Sequence, residues 1–184
     1  MSALNYCWSL LFFLMSCGIP NQNQIVDGEH IDLEHSNQLT VLLFMDPECP
    51  LCENYTLNFN KLSSSYPKLK VYAVFSGADL YTKQQLVDFK SRYKLNMTFV
   101  WDKSFELAKA YQAKVTPEVV LISETGEVLY QGKVDNWLEK LGRRRKTVSQ
   151  FYLNQAIESH LKGDSVQTKR TQAIGCLIQY PHDK

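Results

Sequence analysis

An unbroken apolar run, Thr40-Val41-Leu42-Leu43-Phe44-Met45, stands three residues ahead of two closely spaced cysteines, Cys49-Pro50-Leu51-Cys52. A run this short, β-branched at its start and without polar alternation, has the character of a strand covered on both faces of a parallel or mixed sheet. A helix is expected next. Asp46-Pro47-Glu48 makes the turn, Pro50 suits a first helical position, and Tyr55, Phe59 and Leu62 recur at helical spacing. Cys49 is thereby placed at a helix N-terminus. Unpaired N–H groups and the positive end of the helix dipole favour thiolate over thiol there. Cys49 is therefore the expected nucleophile of a redox pair and Cys52 its resolving thiol. Two other uses of such a pair compete. Zinc usually takes four ligands, and no second CxxC or closely spaced His pair accompanies this one, so no metal is assigned. A structural disulfide between near neighbours closes too little chain to stabilise much.

With 184 residues, 45% of them hydrophobic, the chain can bury one good-sized core. A formal net charge of +1 gives no global attraction to nucleic acid, which is not expected as a partner. The one basic run, Arg143-Arg144-Arg145-Lys146, reads as a solvated segment before a helix.

The N-terminal run Leu10-Leu11-Phe12-Phe13-Leu14-Met15 is too short to span a membrane and sits where a secretory signal peptide would, over residues 1–16. Leu14-Met15-Ser16-Cys17 resembles the lipobox of bacterial lipoproteins, which implies cleavage before Cys17 and lipid modification of that residue. The absence of Lys and Arg from residues 1–16 departs from the usual signal pattern. The resulting expectation is export to the bacterial cell envelope, with a lipid anchor in the membrane and the domain facing the periplasm, where disulfides persist. Residues 17–37, with Gly18, Pro20 and several Asn and Gln, read as a tether.

Beyond the first strand and helix, residues 70–75 read as a second buried strand, 82–94 as an amphipathic helix and 97–101 as a third strand. Ser104 is placed to cap a helix running through Tyr111. Thr116-Pro117 precedes a strand over 118–122, a turn at Glu124-Thr125-Gly126 and a returning strand from Val128. Leu153, Ile157 and Leu161 share a face of a last helix that Lys162-Gly163 ends. Strands alternating with helices imply an α/β layer architecture over residues 38–162, with 163–184 as a C-terminal extension packing on it. A proline at the mouth of a buried strand removes a ladder donor; taken alone, a trans proline at a strand start is the better reading.

The order strand, CPLC at a helix start, strand, helix, Thr-Pro before a strand, hairpin and final helix resembles the thioredoxin-like fold, a central mixed sheet flanked by helices. That resemblance implies a cis Pro117 peptide lying against the cysteine pair, with Thr116 backbone groups available to pair with an extended substrate strand. More narrowly, Asp46-Pro47-Glu48-Cys49-Pro50, Val115-Thr116-Pro117-Glu118-Val119, Tyr130-Gln131-Gly132-Lys133-Val134-Asp135, Gly142-Arg143-Arg144-Arg145 and Ile174-Gly175-Cys176-Leu177-Ile178 are similar to bacterial redoxin-domain proteins. Those belong to the alkyl hydroperoxide reductase and thiol-specific antioxidant grouping. Three departures matter. Thioredoxins carry Trp-Cys-Gly-Pro-Cys, whereas Glu48 precedes Cys49 here and Pro-Leu separates the cysteines, which leaves the direction of electron flow open. Thioredoxins place a buried acid where Leu43 stands, so Asp46 or Glu48 becomes the candidate proton shuttle. Peroxiredoxins have Thr where Asp46 stands, and a carboxylate there disfavours a peroxide oxyanion.

The Ile-Gly-Cys-Leu-Ile context reads Cys176 as a small buried residue packed back on the domain. Otherwise it is a third redox thiol or, with Cys49 and Cys52, a soft ligand set for Cu(I). His30, His35, His160 and His182 are scattered and read as surface or capping residues. The leading expectation is a cofactor-free thiol-disulfide oxidoreductase acting on protein thiols and disulfides with a separate redox partner. A copper-binding or copper-delivery protein is the alternative from another class, and a thiol peroxidase the third.

Overall fold

The computed structural model describes residues 25–27, 31, 33 and 36–181. The signal segment 1–16, Cys17, His30, His35 and His182 lie outside the described residues.

In chain order the elements are β1 (Ile25–Asp27), β2 (Thr40–Phe44), α1 (Pro50–Ser65), β3 (Lys70–Ser76), α2 (Lys83–Arg92), β4 (Thr98–Asp102) and α3 (Glu106–Ala110). They continue with β5 (Val115–Thr116), β6 (Glu118–Ile122), β7 (Val128–Gly132), β8 (Leu138–Lys140), β9 (Arg143–Arg144), α4 (Tyr152–Leu161) and β10 (Cys176–Leu177). Six strands make a mixed sheet in the order β1-β4-β3-β2-β6-β7. β2 lies at its centre, parallel to β3 and antiparallel to β6, with Leu42 opposite both Tyr72 and Val120. All five residues of β2 and all five of β6 are buried, as an unbroken apolar run requires.

Strand alternation divides the core between the two faces of the sheet. Val41, Leu43, Ala73, Phe75, Phe99, Val119 and Leu121 pack with Phe59 of α1, Phe89 of α2 and Leu153 and Ile157 of α4. Leu42, Phe44, Val74, Val100, Val120 and Ile122 form the other cluster with Leu107 and Ala108 of α3. This arrangement is the α/β sheet flanked by helices that the chain's pattern implies.

Three local features differ from the sequence reading. β1 falls inside the segment read as a tether and pairs parallel with β4, Ile25 opposite Phe99, so the sheet begins before residue 38. A three-residue strand among polar neighbours has no period to detect; the open edge of β4 supplies its ladder. Ser104 does not cap α3: Phe105 holds the cap position at φ +60°, and the N–H groups of Leu107 and Ala108 donate to the Asp102 carboxylate at 3.1 and 3.0 Å. The acid at the end of β4, itself accepting from Ser76 Oγ at 2.9 Å, reaches across to do what a local serine was expected to do. Leu161, the last residue of α4, is 57% exposed, because Leu153 and Ile157 already complete the helix's buried stripe.

The basic run lies on the surface, where Arg143 Nε meets Glu139 Oε2 at 2.8 Å and the Arg144 guanidinium lies over the Trp137 ring.

Candidate active site: three cysteines at one end of the sheet

The chain leaves β2 at the centre of the sheet and turns through Asp46, whose carboxylate accepts from Glu48 N–H at 2.7 Å. This local bond folds the turn and delivers Cys49 to the N-cap of α1, with Pro50 in the first turn where it forfeits no hydrogen bond. The Cys49 carbonyl accepts from Cys52 N–H at 2.9 Å, so both cysteines belong to the opening turn of the helix. Cys52 is fully buried, its sulfur accepting from Asp46 N–H at 3.5 Å.

The second wall is the short strand β5, and the Thr116–Pro117 peptide bond at its end is cis. Cys49 Sγ lies 3.3 Å from the Thr116 carbonyl oxygen, so the proline loop and the helix start face each other directly.

The third element is the C-terminal extension. β10 pairs antiparallel with β5, Cys176 opposite Thr116 and Leu177 opposite Val115. Cys176 forms a disulfide with Cys49 across 127 residues of sequence, with the two Cα atoms 6.2 Å apart, while Cys52 is a free thiol. Cys176, read from the sequence as a small buried residue packed back on the domain, is half-buried: it packs against the main core and is bonded to the helix cysteine, while Cys52 keeps its thiol. The reason is β-pairing: once the tail lies along β5, Cys176 is the residue opposite Thr116, where Cys49 Sγ points.

Residues of the stretches similar to redoxin-domain proteins, Glu118, Tyr130, Gln131 and Lys133 among them, hold this tail in place together with Thr171 and Tyr180. Thr171 N–H donates to the Gln131 carbonyl at 3.0 Å, and Gln131 N–H to the Lys169 carbonyl at 3.0 Å, extending the sheet beyond β7. Thr171 Oγ1 lies 2.6 Å from Tyr130 Oη and accepts from Lys133 N–H at 2.9 Å. Beyond Cys176, Ile178 N–H donates to the Lys114 carbonyl at 3.0 Å and Tyr180 Oη to the Ala113 carbonyl at 2.6 Å. Glu118, buried directly after Pro117, accepts from Lys114 N–H at 2.9 Å and Gln131 Nε2 at 2.8 Å, and Arg170 donates to Gln131 Oε1 at 2.8 Å. Glycine is required twice: a Cβ on Gly175 would fall on the Thr116 carbonyl, and one on Gly132, at φ +140°, on the Thr171 carbonyl.

Burial pushes the Cys52 thiol up to about 12, with the Asp46 and Glu53 charges adding to it against the hydrogen bonds from Asp46 N–H and the Thr116 hydroxyl. Burial also raises Asp46 above the ordinary carboxylate range, with the Glu48 charge adding to it against the hydrogen bonds from Glu48 and Cys49 N–H. A cavity of about 160 Å³ opens beside this turn, lined among others by Asp46, Glu48, Tyr81, Thr116 and Leu177. Thr116 Oγ1 is buried within reach of the Cys52 thiol. His160 stands apart, with Nε2 2.9 Å from Glu124 Oε2. Among the described residues no group of three or more His, Cys, Asp or Glu is arranged to hold a metal ion.

A thioredoxin-like fold with a cysteine pair at the start of α1 and a proline loop against it defines the class. Residues 19–131 match the AhpC/TSA family, and the chain belongs to that family. It is 32% identical over 107 residues to the thiol-disulfide oxidoreductase ResA of Halalkalibacterium halodurans, covering 56% of this chain and 59% of that protein. To the sporulation thiol-disulfide oxidoreductase A of Bacillus subtilis it is 29% identical over 105 residues, covering 56% of this chain and 64% of that protein. The chain thus spans about three fifths of these curated relatives. Among solved structures, a hypothetical protein of Sinorhizobium meliloti superposes with a TM-score of 0.70 at 24% identity, covering 82% of this chain and 84% of that one. StoA from Bacillus subtilis gives 0.50 at 27% identity, covering 55% and 77%.

Proposed function

We propose that this protein is a thiol-disulfide oxidoreductase whose reacting atom is Cys49 Sγ. The observation that carries the reading is the state of that sulfur: it is joined in a disulfide to a cysteine lying on an extended strand beside the proline loop, with the Cys52 thiol in the same helical turn. This is the arrangement of a mixed disulfide awaiting resolution. The two curated relatives, both named thiol-disulfide oxidoreductases, support the same chemistry.

In the reductive direction Cys49 thiolate, favoured by the helix N-terminus, attacks one sulfur of a disulfide and the other leaves as thiolate. Cys52, once deprotonated, attacks Cys49 Sγ, closing the Cys49–Cys52 disulfide and expelling the second thiolate. The reverse sequence oxidises a dithiol. Asp46 is the proton acceptor for Cys52: its backbone already touches that sulfur, and its raised carboxyl is better matched to a thiol than an ordinary aspartate. Glu48, on the rim of the same cavity, is the second candidate. Pro117 and Thr116 form the wall along which an extended segment lies, and in the structure that segment is the chain's own β10. Protein thiols and disulfides are the substrates in this reading, and a separate dithiol or disulfide partner resets the pair. Cys17 lipidation and residence at the periplasmic face of the envelope complete it; among the described residues no helix is long and apolar enough to cross a membrane. No specific observation favours copper delivery or peroxide reduction over this chemistry.

Insulin reduction driven by dithiothreitol tests the proposal. Cys49→Ser lowers the catalysed rate by at least about a thousandfold, as loss of a covalent nucleophile does. Cys52→Ser/Cys176→Ser, which lacks both thiols able to displace a partner from Cys49, accumulates Cys49-linked mixed disulfides, read by mass under acid quench. Full activity in the Cys49→Ser protein contradicts the proposal.

A further inference from the structure

The CPLC pair is closed to the outside. Cys49 is 1% exposed and Cys52 fully buried, and the strand that covers them is held on both sides of the site. Upstream, residues 169–171 extend the sheet along β7; downstream, Ile178 and Tyr180 bond the loop before β5, and the Tyr180 ring packs against Phe105 at 5.3 Å. Between these anchors the Gly175 backbone lies so close on the Thr116 carbonyl that no side chain fits there. The same strand turns outward at its cysteine: Cys176 is half-buried, and Leu177 beside it is 76% exposed. Of the three sulfurs, the one on the residue reaching solvent is also the one bonded to Cys49.

We propose that Cys176 is the exchange thiol of the enzyme, carrying disulfide equivalents between external partners and the buried Cys49–Cys52 pair. The inference rests on the thiol-disulfide reading above and adds a step before it. Cys176 thiolate attacks a sulfur of the external disulfide; a Cys176–substrate disulfide forms and the other substrate sulfur leaves as thiolate. Cys49 thiolate then attacks Cys176 Sγ, forming the Cys49–Cys176 disulfide seen in the structure and releasing the second substrate thiolate. Finally Cys52 thiolate attacks Cys49 Sγ, forming Cys49–Cys52 and restoring Cys176 thiolate. In sum two protein thiolates become one disulfide and the substrate disulfide becomes two thiolates; an external dithiol reverses the sequence. Substrates in this scheme need not thread into the β5 groove, because the chain's own strand already fills it. What they must present is a disulfide reachable from the open side of Cys176, past Leu177.

The test compares full-length, reduced proteins mixed with glutathione disulfide, quenched in acid and mapped by peptide mass so that Cys7 and Cys17 are read separately. In Cys52→Ser the stable product is the Cys49–Cys176 disulfide with both glutathiones released. In Cys49→Ser/Cys52→Ser, Cys176 takes up glutathione as fast as the first step in Cys52→Ser, because Cys49 plays no part in that step. In Cys52→Ser/Cys176→Ser, glutathione reaches Cys49 at least about tenfold more slowly, through loss of a positioned intramolecular thiol. The opposite order, with Cys49 reacting as fast or faster once Cys176 is gone, overturns the relay and makes the strand a cover; the thiol-disulfide reading survives. If Cys49 exchanges in neither of the two proteins that retain it, that reading fails and the relay with it.

Discussion

The two halves of the site are built by different means. Cys49 and Cys52 stand on a helix whose Tyr55, Phe59 and Leu62 are buried against the central sheet, so their positions are set by the main core. Cys176 stands on a strap held by a two-residue ladder, a few backbone bonds and the Thr171 and Tyr180 hydroxyls, with an exposed leucine beside it. The first half is preorganised by packing in the main core; the second is held by hydrogen bonds of modest net worth and by the edge packing of partly buried Ile178 and Tyr180, and is able to open locally. A site that must switch disulfide partners needs one sulfur that stays and one that can leave. In the proposed relay the difference in construction gives each cysteine its part.

Damage to the packed half should therefore spread, and damage to the strap should stay local. Phe75 is fully buried among Phe89, Phe99 and Tyr81. Phe75→Ala should cost about 3–5 kcal/mol of global stability, measured by urea unfolding, with the midpoint shifted and the whole domain losing cooperativity together. A cost below about 1 kcal/mol would mean the sheet face is not packed as described.

The proton on Cys52 gives the next effect. With its thiol pushed up to about 12, Cys52 is almost wholly protonated at neutral pH, so the proposed attack on Cys49 needs a base. Asp46→Asn should slow conversion of Cys49–Cys176 to Cys49–Cys52 at pH 7, and the remaining rate should climb about tenfold per pH unit toward pH 10 as hydroxide takes over. Quenched-flow alkylation reads both. An Asp46→Asn profile that overlays the wild type at every pH removes Asp46 from the mechanism.

The smallest effect belongs to the strap. Tyr180→Phe deletes the bond to the Ala113 carbonyl while keeping the ring against Phe105, and should cost about 1 kcal/mol. The loss should appear as faster amide exchange over residues 174–180 with the sheet protected as before. Faster exchange throughout β2 and β6 would show that strap and core open as one unit.

The same contrast explains what was legible beforehand. β2, the turn, Cys49 at the helix start, and the helices with Phe59 or Phe89 on one face all announce themselves within a dozen residues, because strand burial, capping and helical period are local. The helix-start geometry of Cys49 and Cys52 was legible for that reason. The union of Cys49 with Cys176 was not: it depends on a chain reversal that lays residues 176–177 beside 115–116, and no local period encodes it. Asp102 was hidden in the same way, since its carboxylate caps α3 from the end of a strand while the nearer Ser104 looked like the natural cap. Glu118 read as a strand residue, yet it bonds the Lys114 backbone and Gln131 behind the β5 wall. Each of these contacts joins segments whose proximity only the assembled sheet provides.

The most direct test of a redox site centred on Cys49 is to equilibrate the reduced protein in graded glutathione buffers, trap thiols by alkylation and map every disulfide by mass. The account predicts a reversible two-electron transition in which Cys49 is the shared member, paired with Cys176 in one population and with Cys52 in the other. Cys49 remaining a free thiol in fully oxidising buffer would contradict it.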